Sequence, residues 1–210
     1  MELLVNISGA LQRGKSKEVV ALVQEAIDSG ISAQDILDNG LLKGMGELGV
    51  RFKNNEVYVP EVLVAARALN KATEILKSKL LEEGVKPIGR VVIGTVKGDM
   101  HDIGKNLVRM MLEGAGFEVI DLGVDVSAEK IVEAVKQHEP AILALSALLT
   151  TTMNEQQVVI EALSAAGIRD KVKVMIGGAP VTQSFCEQIG ADAYTPDAAS
   201  AAEVARSFVS

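Results

Sequence analysis

The 210-residue chain contains no tryptophan, a single cysteine, two histidines and only 3% aromatic residues. So few rings leave no platform for stacked bases, and a formal charge of −7 works against a surface that tracks phosphates. Both counts make nucleic acid a poor partner. The lone cysteine, Cys186, excludes an intramolecular disulfide and a thiolate metal cluster. Following Phe185 in a helix-like segment, it reads as a buried structural thiol. No uninterrupted apolar run approaches a membrane span, and Met1-Glu2-Leu3-Leu4 has no basic region leading into an apolar one. The expectation is a cytoplasmic protein without membrane association. Its 48% hydrophobic content is ample for a buried core.

The apolar residues that are present change their period once along the chain. Leu3, Leu4, Ile7 and Leu11 recur at helical spacing, as do Val19, Val20, Val23, Ala26 and Ile27, with Ser29-Gly30 closing the second segment. Ser32 and Asp35 form a capping-box pattern opening a third helix. Pro60 suits the first turn of a fourth, whose stripe runs Val62, Ala66, Leu69, Thr73, Leu76, Leu80. Four helices of this kind predict a small bundle. Gly40, Gly44, Gly46 and Gly49 interrupt the pattern, each costing roughly 1 kcal/mol against alanine. They mark either a close backbone approach or a helix that frays into a loop over 44–55.

Glu82 to Gly89 mixes charge, glycine and proline and reads as a linker. It divides the chain into a helical domain, 1–86, and a second domain, 87–210. In the second domain short apolar runs, Val91–Ile93, Val119–Ile120, Ile142–Leu145 and Val174–Ile176, alternate with helical patterns. A fifth, weaker strand falls at Asp192-Ala193-Tyr194. The alternation predicts an α/β domain with a five-stranded parallel sheet in flavodoxin-like (Rossmann-type) order, binding ligands beyond the strands' carboxyl ends.

That rule directs attention to three loops: Gly98-Asp99-Met100-His101-Asp102-Ile103-Gly104 after the first strand, Ser146-Ala147-Leu148-Leu149-Thr150 after the third, and Gly177-Gly178-Ala179 after the fourth. Asp99 stands two residues before His101, where a carboxylate can accept the ring's N–H and orient the imidazole for a metal. A phosphate loop ending at Gly104-Lys105 fails, because Asp99 and Asn106 occupy the positions of its glycine and hydroxyl residue. A dinucleotide fingerprint is absent as well. Zinc or iron would require further protein ligands, and only Asp99, Asp102 and distant Asp125 are on offer. His138, before Pro140, reads as a solvated helix end. One histidine without companions suits a metal whose other positions are filled by a macrocycle, a haem or a corrin.

Asp99-x-His101-x-x-Gly104, then 41 residues, Ser146-x-Leu148, then 28 residues, Gly177-Gly178 resembles the three-part signature of cobalamin-binding domains. The helical half, with Gly44-Met45-Gly46-Glu47-Leu48-Gly49-Val50-Arg51-Phe52 and Val57-Tyr58-Val59-Pro60-Glu61-Val62, resembles the cap that covers methylcobalamin. The resemblance spans nearly the whole chain and is strongest to the corrinoid proteins of methylamine, methanol and methoxyl-arene methyltransferase systems. Tyr58 and Val59 stand where a Phe-Leu pair is common in such caps.

The resemblance implies a methyl carrier that is not catalytic alone and holds cobalamin or a related cobamide. Its implied partners are a substrate-specific methyltransferase, a second methyltransferase using tetrahydrofolate or a thiol, and a reductive activase. His101 is then the lower axial ligand to cobalt, Asp99 accepts a hydrogen bond from its ring, and Ser146 supports Asp99. Gly98, Met100, Asp102, Ile103, Leu148, Thr150 and Ala179 are implied cofactor contacts. Gly104, Gly177 and Gly178 leave room for the nucleotide tail. From the cap, Phe52 and Val59 lie over the methyl group, with Asp38 and Met45 as neighbours, and the 82–89 linker is the hinge on which the cap moves aside. A sensory cobalamin-binding module is the alternative, which an acidic chain without length for a DNA-binding segment disfavours.

Overall fold

The computed structural model describes residues 2–210, and Met1 of the N-terminal stretch lies outside the described residues. The chain divides into two compact units: the first runs to Pro87 and includes Gly114–Gly116, and the second comprises Ile88–Glu113 and Phe117–Ser210.

The first unit is helical. Glu2–Gln12 (α1) and Ser16–Asp28 (α2) are followed by Ala33–Asp35 (α3), a π-helical stretch Ile36–Leu42, and Lys43–Lys53 (α4), which run on without a break. Val59–Glu82 (α5) completes four rods. Their predicted apolar faces supply the core: Ile7 and Leu11 of α1, Val19 and Val23 of α2, and Val62, Leu69 and Leu76 of α5 are all buried. Ser32 Oγ accepts the Asp35 N–H at 3.1 Å, and Glu61 Oε2 accepts the Tyr58 N–H at 3.2 Å, so both predicted helix starts carry side-chain caps.

The glycine-rich segment does not fray; it is helical to Lys53. A methyl group on Gly44 would stand 3.0 Å from the Ser8 backbone, and one on Gly40 3.1 Å from the Ile7 side chain. These glycines let α1 cross close to the π-helical stretch and α4, which offsets their poor helix propensity.

The second unit alternates strand and helix: Arg90–Thr95 (β1), Ile103–Gly114 (α6), Glu118–Asp121 (β2), Ala128–His138 (α7), Ile142–Ser146 (β3), Glu155–Ala165 (α8), Lys173–Gly177 (β4), Gln183–Ile189 (α9), Ala193–Tyr194 (β5) and Ala198–Val209 (α10). All pairings are parallel and the order is β2-β1-β3-β4-β5, the flavodoxin-like arrangement expected. Val91 lies opposite both Val119 and Ile142, so the apolar runs pair in register. Val92, Leu143, Leu145, Val174 and Ile176 pack with Ile131, Val135, Val159 and Leu163 of the covering helices. Each such aliphatic side chain contributes roughly 1.5–3 kcal/mol by leaving water. Cys186 is part of this core, and burial pushes its thiol up.

This order has a functional consequence. From β1 the chain crosses to β2 on one side, and β3 lies on the other, so a crevice opens between the carboxyl ends of β1 and β3.

Candidate functional site

The loops after β1 and β3 meet at that crevice, and Asp99 joins them. Its carboxylate has no exposed surface and accepts four hydrogen bonds, two on each oxygen. Oδ1 takes the backbone N–H of His101 at 3.1 Å and the His101 ring Nδ1 at 2.7 Å. Oδ2 takes the Leu148 N–H at 2.7 Å and the Thr152 hydroxyl at 2.7 Å. Burial alone would push this carboxyl up. The Leu148 N–H, the Thr152 hydroxyl and the two His101 donors outweigh it and hold Asp99 well below the usual carboxylate range.

An ionised carboxylate only accepts, so His101 carries a proton on Nδ1. In the neutral ring this leaves the lone pair on Nε2, and the imidazole is about half exposed, 49%. Thr95 Oγ1 donates to the His101 carbonyl at 2.9 Å and fixes the backbone beneath the ring. The product is a single oriented nitrogen base at the mouth of the crevice. Among the described residues no three His, Cys, Asp or Glu side chains converge as a metal-binding group.

The remaining second-unit residues singled out from the sequence lie at the carboxyl ends of β1, β3 and β4. Gly98 and Asp102 are exposed, and Asp102 Oδ2 accepts from Asn106 Nδ2 at 3.1 Å. Met100 and Ile103 are 69% and 78% exposed, and Leu148 and Leu149 are exposed on the facing loop with Thr150. Ser146 ends β3, half-buried, opposite Thr95 and Gly177. Gly177, Gly178 and exposed Ala179 follow at the end of β4. In the helical unit Met45 is buried, Phe52 and Val59 are half-buried, and Asp38 is exposed.

One expectation needs correction. The hydroxyl that supports Asp99 belongs to Thr152 and not to Ser146, whose backbone carbonyl instead accepts the Val96 N–H at 3.0 Å. The glycine pair also has a reason within the fold itself. A methyl group on Gly178, at φ 129°, would overlap the Ala147 carbonyl oxygen at 1.7 Å, and one on Gly177 would press on the Thr195 carbonyl at 3.3 Å. The Ala147 carbonyl thus demands glycine at 178, and Thr195 leaves little room for a side chain at 177. Of the three signature glycines only Gly104 faces open space, with nothing within 4 Å of a built Cβ.

Sequence reasoning missed three participants. Thr152 lies in the run Thr150-Thr151-Thr152, where only the turn geometry selects one hydroxyl. Asp125 Oδ1 accepts the Gly98 N–H at 2.7 Å. Lys105 is buried, with Nζ 2.5 Å from Asp121 Oδ2 and 2.9 Å from Asn106 Oδ1, so its charge serves the α6–β2 contact and not a phosphate.

Compared with family models, residues 89–205 match a B12 binding domain and residues 3–77 match a second B12 binding domain model. This chain belongs to the B12-binding family. The dimethylamine corrinoid protein of Methanosarcina barkeri is 42% identical to it over 210 residues, 99% of this chain and 98% of that one. Among solved structures, the methanol:cobalamin methyltransferase complex MtaBC of Methanosarcina barkeri is 35% identical with a TM-score of 0.88, covering 99% of this chain and 80% of that one. A cobalamin-binding protein of Desulfitobacterium hafniense DCB-2 is 32% identical with a TM-score of 0.82, covering 99% and 98%.

The residues of this B12-binding protein fit a corrinoid. A corrin would itself fill most positions of its metal, and His101 Nε2, with Nδ1 held by Asp99, is a nitrogen base that could add one more. The exposed apolar side chains Met100, Leu148 and Leu149 lie on the same two loops and Ile103 opens α6 beside them, where the face of a large ring would cover them. The open first turn of α6 at Gly104 leaves space beside the imidazole's loop.

Proposed function

We propose that this chain is a corrinoid methyl carrier of a multi-component methyltransferase system, and that His101 is the lower axial ligand holding its cofactor. It takes a methyl group from a substrate-specific methyltransferase and passes it to a second methyltransferase acting on tetrahydrofolate or a thiol. A reductive activase restores it after oxidation. The bound corrinoid supplies a cobalt centre that accepts and releases the methyl group. The chain carries the group in the cytoplasm and leaves substrate recognition to its partners.

The single observation that carries this reading is the half-exposed imidazole whose Nδ1 is held at 2.7 Å by a buried, ionised carboxylate. Asp99 fixes both the tautomer and the direction of the ring, so Nε2 is presented without a search among rotamers. Leu148 and Thr152 hold the carboxylate in place from the facing loop. The relatives named for dimethylamine and methanol systems support the methyl-carrier role, and no helix of the described residues is long and apolar enough to cross a membrane.

Domain roles complete the proposal. Residues 87–210 bind the cofactor through Gly98 to Gly104, Ser146, Leu148, Thr150, Gly177, Gly178 and Ala179. Residues 1–86 are assigned the role of the cap, with half-buried Phe52 and Val59 its candidate contacts to the methyl group and Met45 buried within the unit.

The test is reconstitution. The cofactor-free chain is titrated with a cobamide and followed by absorption, then methylated and mixed separately with methyltransferases specific for tetrahydrofolate and for a thiol. One equivalent bound and demethylation by one of the two enzymes is the expected result. Failure to bind any cobamide, or a methylated protein that neither enzyme consumes, contradicts the proposal.

A further inference from the structure

We propose that Asp125 is a positioning residue for His101, acting through the backbone of the loop that carries Asp99. This rests on the reading of His101 as the cofactor's ligand and names a residue outside the recognised signature.

Asp125 lies in the turn between β2 and α7, with φ 52°. A left-handed backbone at a residue other than glycine costs about 1 kcal/mol or more and persists only where surrounding interactions enforce it. Here its amide and its carboxylate both meet the Asp99 loop. The Asp125 N–H donates to the Asp99 carbonyl at 3.0 Å, and Asp125 Oδ1 accepts the Gly98 N–H at 2.7 Å. Gly98 is itself left-handed, at φ 78°. One aspartate thus grips the Gly98-Asp99 segment at two points, the amide entering it and the carbonyl leaving it.

The grip is anchored in the sheet. Val126, the next residue, bridges to Val96 in parallel fashion, and its N–H donates to the Thr95 carbonyl at 3.0 Å. Thr95 N–H donates to Gly123 at 3.0 Å on the other side of Asp125. The β2–α7 turn is therefore fixed to the end of β1, and Asp125 transmits that fixed position to Asp99. Asp99 needs it, because its carboxylate meets four donors from two loops at once. Rotation of the 98–99 peptide would swing Oδ1 away from the His101 ring and free the imidazole to exchange tautomers. Asp125 is exposed, so the core does not depend on its side chain.

Asp125→Gly and Asp125→Asn separate the acceptor from the backbone strain. Glycine accepts φ 52° without cost but removes the carboxylate. Asparagine tolerates the same φ and keeps an acceptor at the Oδ1 position. In the cofactor-free full chain, exchange of the Gly98 amide and the nitrogen shifts of the His101 ring are measured by NMR. In Asp125→Gly the Gly98 amide should exchange about tenfold faster, as expected for loss of a charge-assisted hydrogen bond, and the ring should show mixed tautomers. Asp125→Asn should restore both signals. An unchanged amide and ring in Asp125→Gly overturns the proposal, as does Asp125→Asn behaving like Asp125→Gly at an unaltered melting temperature. Loaded with a cobamide, Asp125→Gly should also show less nitrogen hyperfine coupling at Co(II) than the wild type. Should the wild type take up no cobamide, the functional reading fails while the amide and ring signals still decide the role of Asp125.

Discussion

Thr152 donates its hydroxyl to Asp99 Oδ2 at 2.7 Å, 53 residues away in sequence. Thr152 Oγ1 also lies 3.1 Å from the Leu149 carbonyl, but its one hydrogen goes to the shorter, charged partner. The pair ties the β3 loop to the β1 loop across the mouth of the crevice, and it does so with a buried carboxylate that cannot turn to water for compensation.

Replacing Thr152 with valine keeps the shape and removes the donor. The folded chain should lose about 1–3 kcal/mol, the cost of leaving one lone pair of a buried carboxylate unmet. Thr152→Ser should recover most of that loss. Urea unfolding of the cofactor-free protein measures both. A valine variant as stable as the wild type would mean that the hydroxyl does not support Asp99.

Gly104 and Gly178 should respond in opposite directions. Gly178→Ala places a methyl group on the Ala147 carbonyl and should cost about 3 kcal/mol or more with or without cofactor. Gly104→Ala meets nothing and lies in the first turn of α6, so the cofactor-free chain should gain up to about 1 kcal/mol. Its affinity for the cobamide should nevertheless fall. Thermal melts with and without cobamide distinguish the two. Equal behaviour of the variants would remove the assignment of Gly104 to the cofactor and Gly178 to the fold.

These two glycines also show what the sequence conveys and what it withholds. Strands such as Ile142–Leu145 and Val174–Ile176 are legible because an apolar run between polar residues has one good solution in a two-faced parallel sheet, and sheet order follows from the alternation with helices. His101 and Asp99 are legible because their relation is local, two residues apart. Thr152 is not, because the choice among three consecutive threonines depends on how the chain turns after β3. Gly178 stands out in the sequence as a required glycine, but the sequence does not reveal that the Ala147 carbonyl comes so close. Asp125 was seen only as a distant carboxylate, because its role depends on a backbone amide in another loop.

Acid should weaken the far end of the sheet through Asp192. Its carboxylate accepts from Arg169 Nη2 at 2.8 Å, Lys173 Nζ at 3.2 Å and the Val174 N–H at 2.8 Å. Burial pushes the group up, but the Val174 N–H, Arg169 and Lys173 together hold it below the ordinary value. A carboxyl depressed in the folded state contributes fully above the unfolded value, near 4, and loses that contribution as pH falls through the folded value. The stability difference between wild type and Asp192→Asn should therefore be largest near neutral pH and shrink below about pH 4. Urea midpoints across that range test it, and a difference independent of pH would contradict it.

The central claim is that His101 Nε2 binds the metal of the cofactor. The most direct measurement is the EPR spectrum of the cobamide-loaded protein in the Co(II) form, taken with uniformly nitrogen-15-labelled protein and unlabelled cofactor, for the wild type and His101→Ala. The account predicts hyperfine splitting from one protein nitrogen-15 nucleus in the wild type and its loss in His101→Ala. Splitting that survives the substitution, or a wild-type spectrum coupled only to the cofactor's own nitrogen-14, would contradict it.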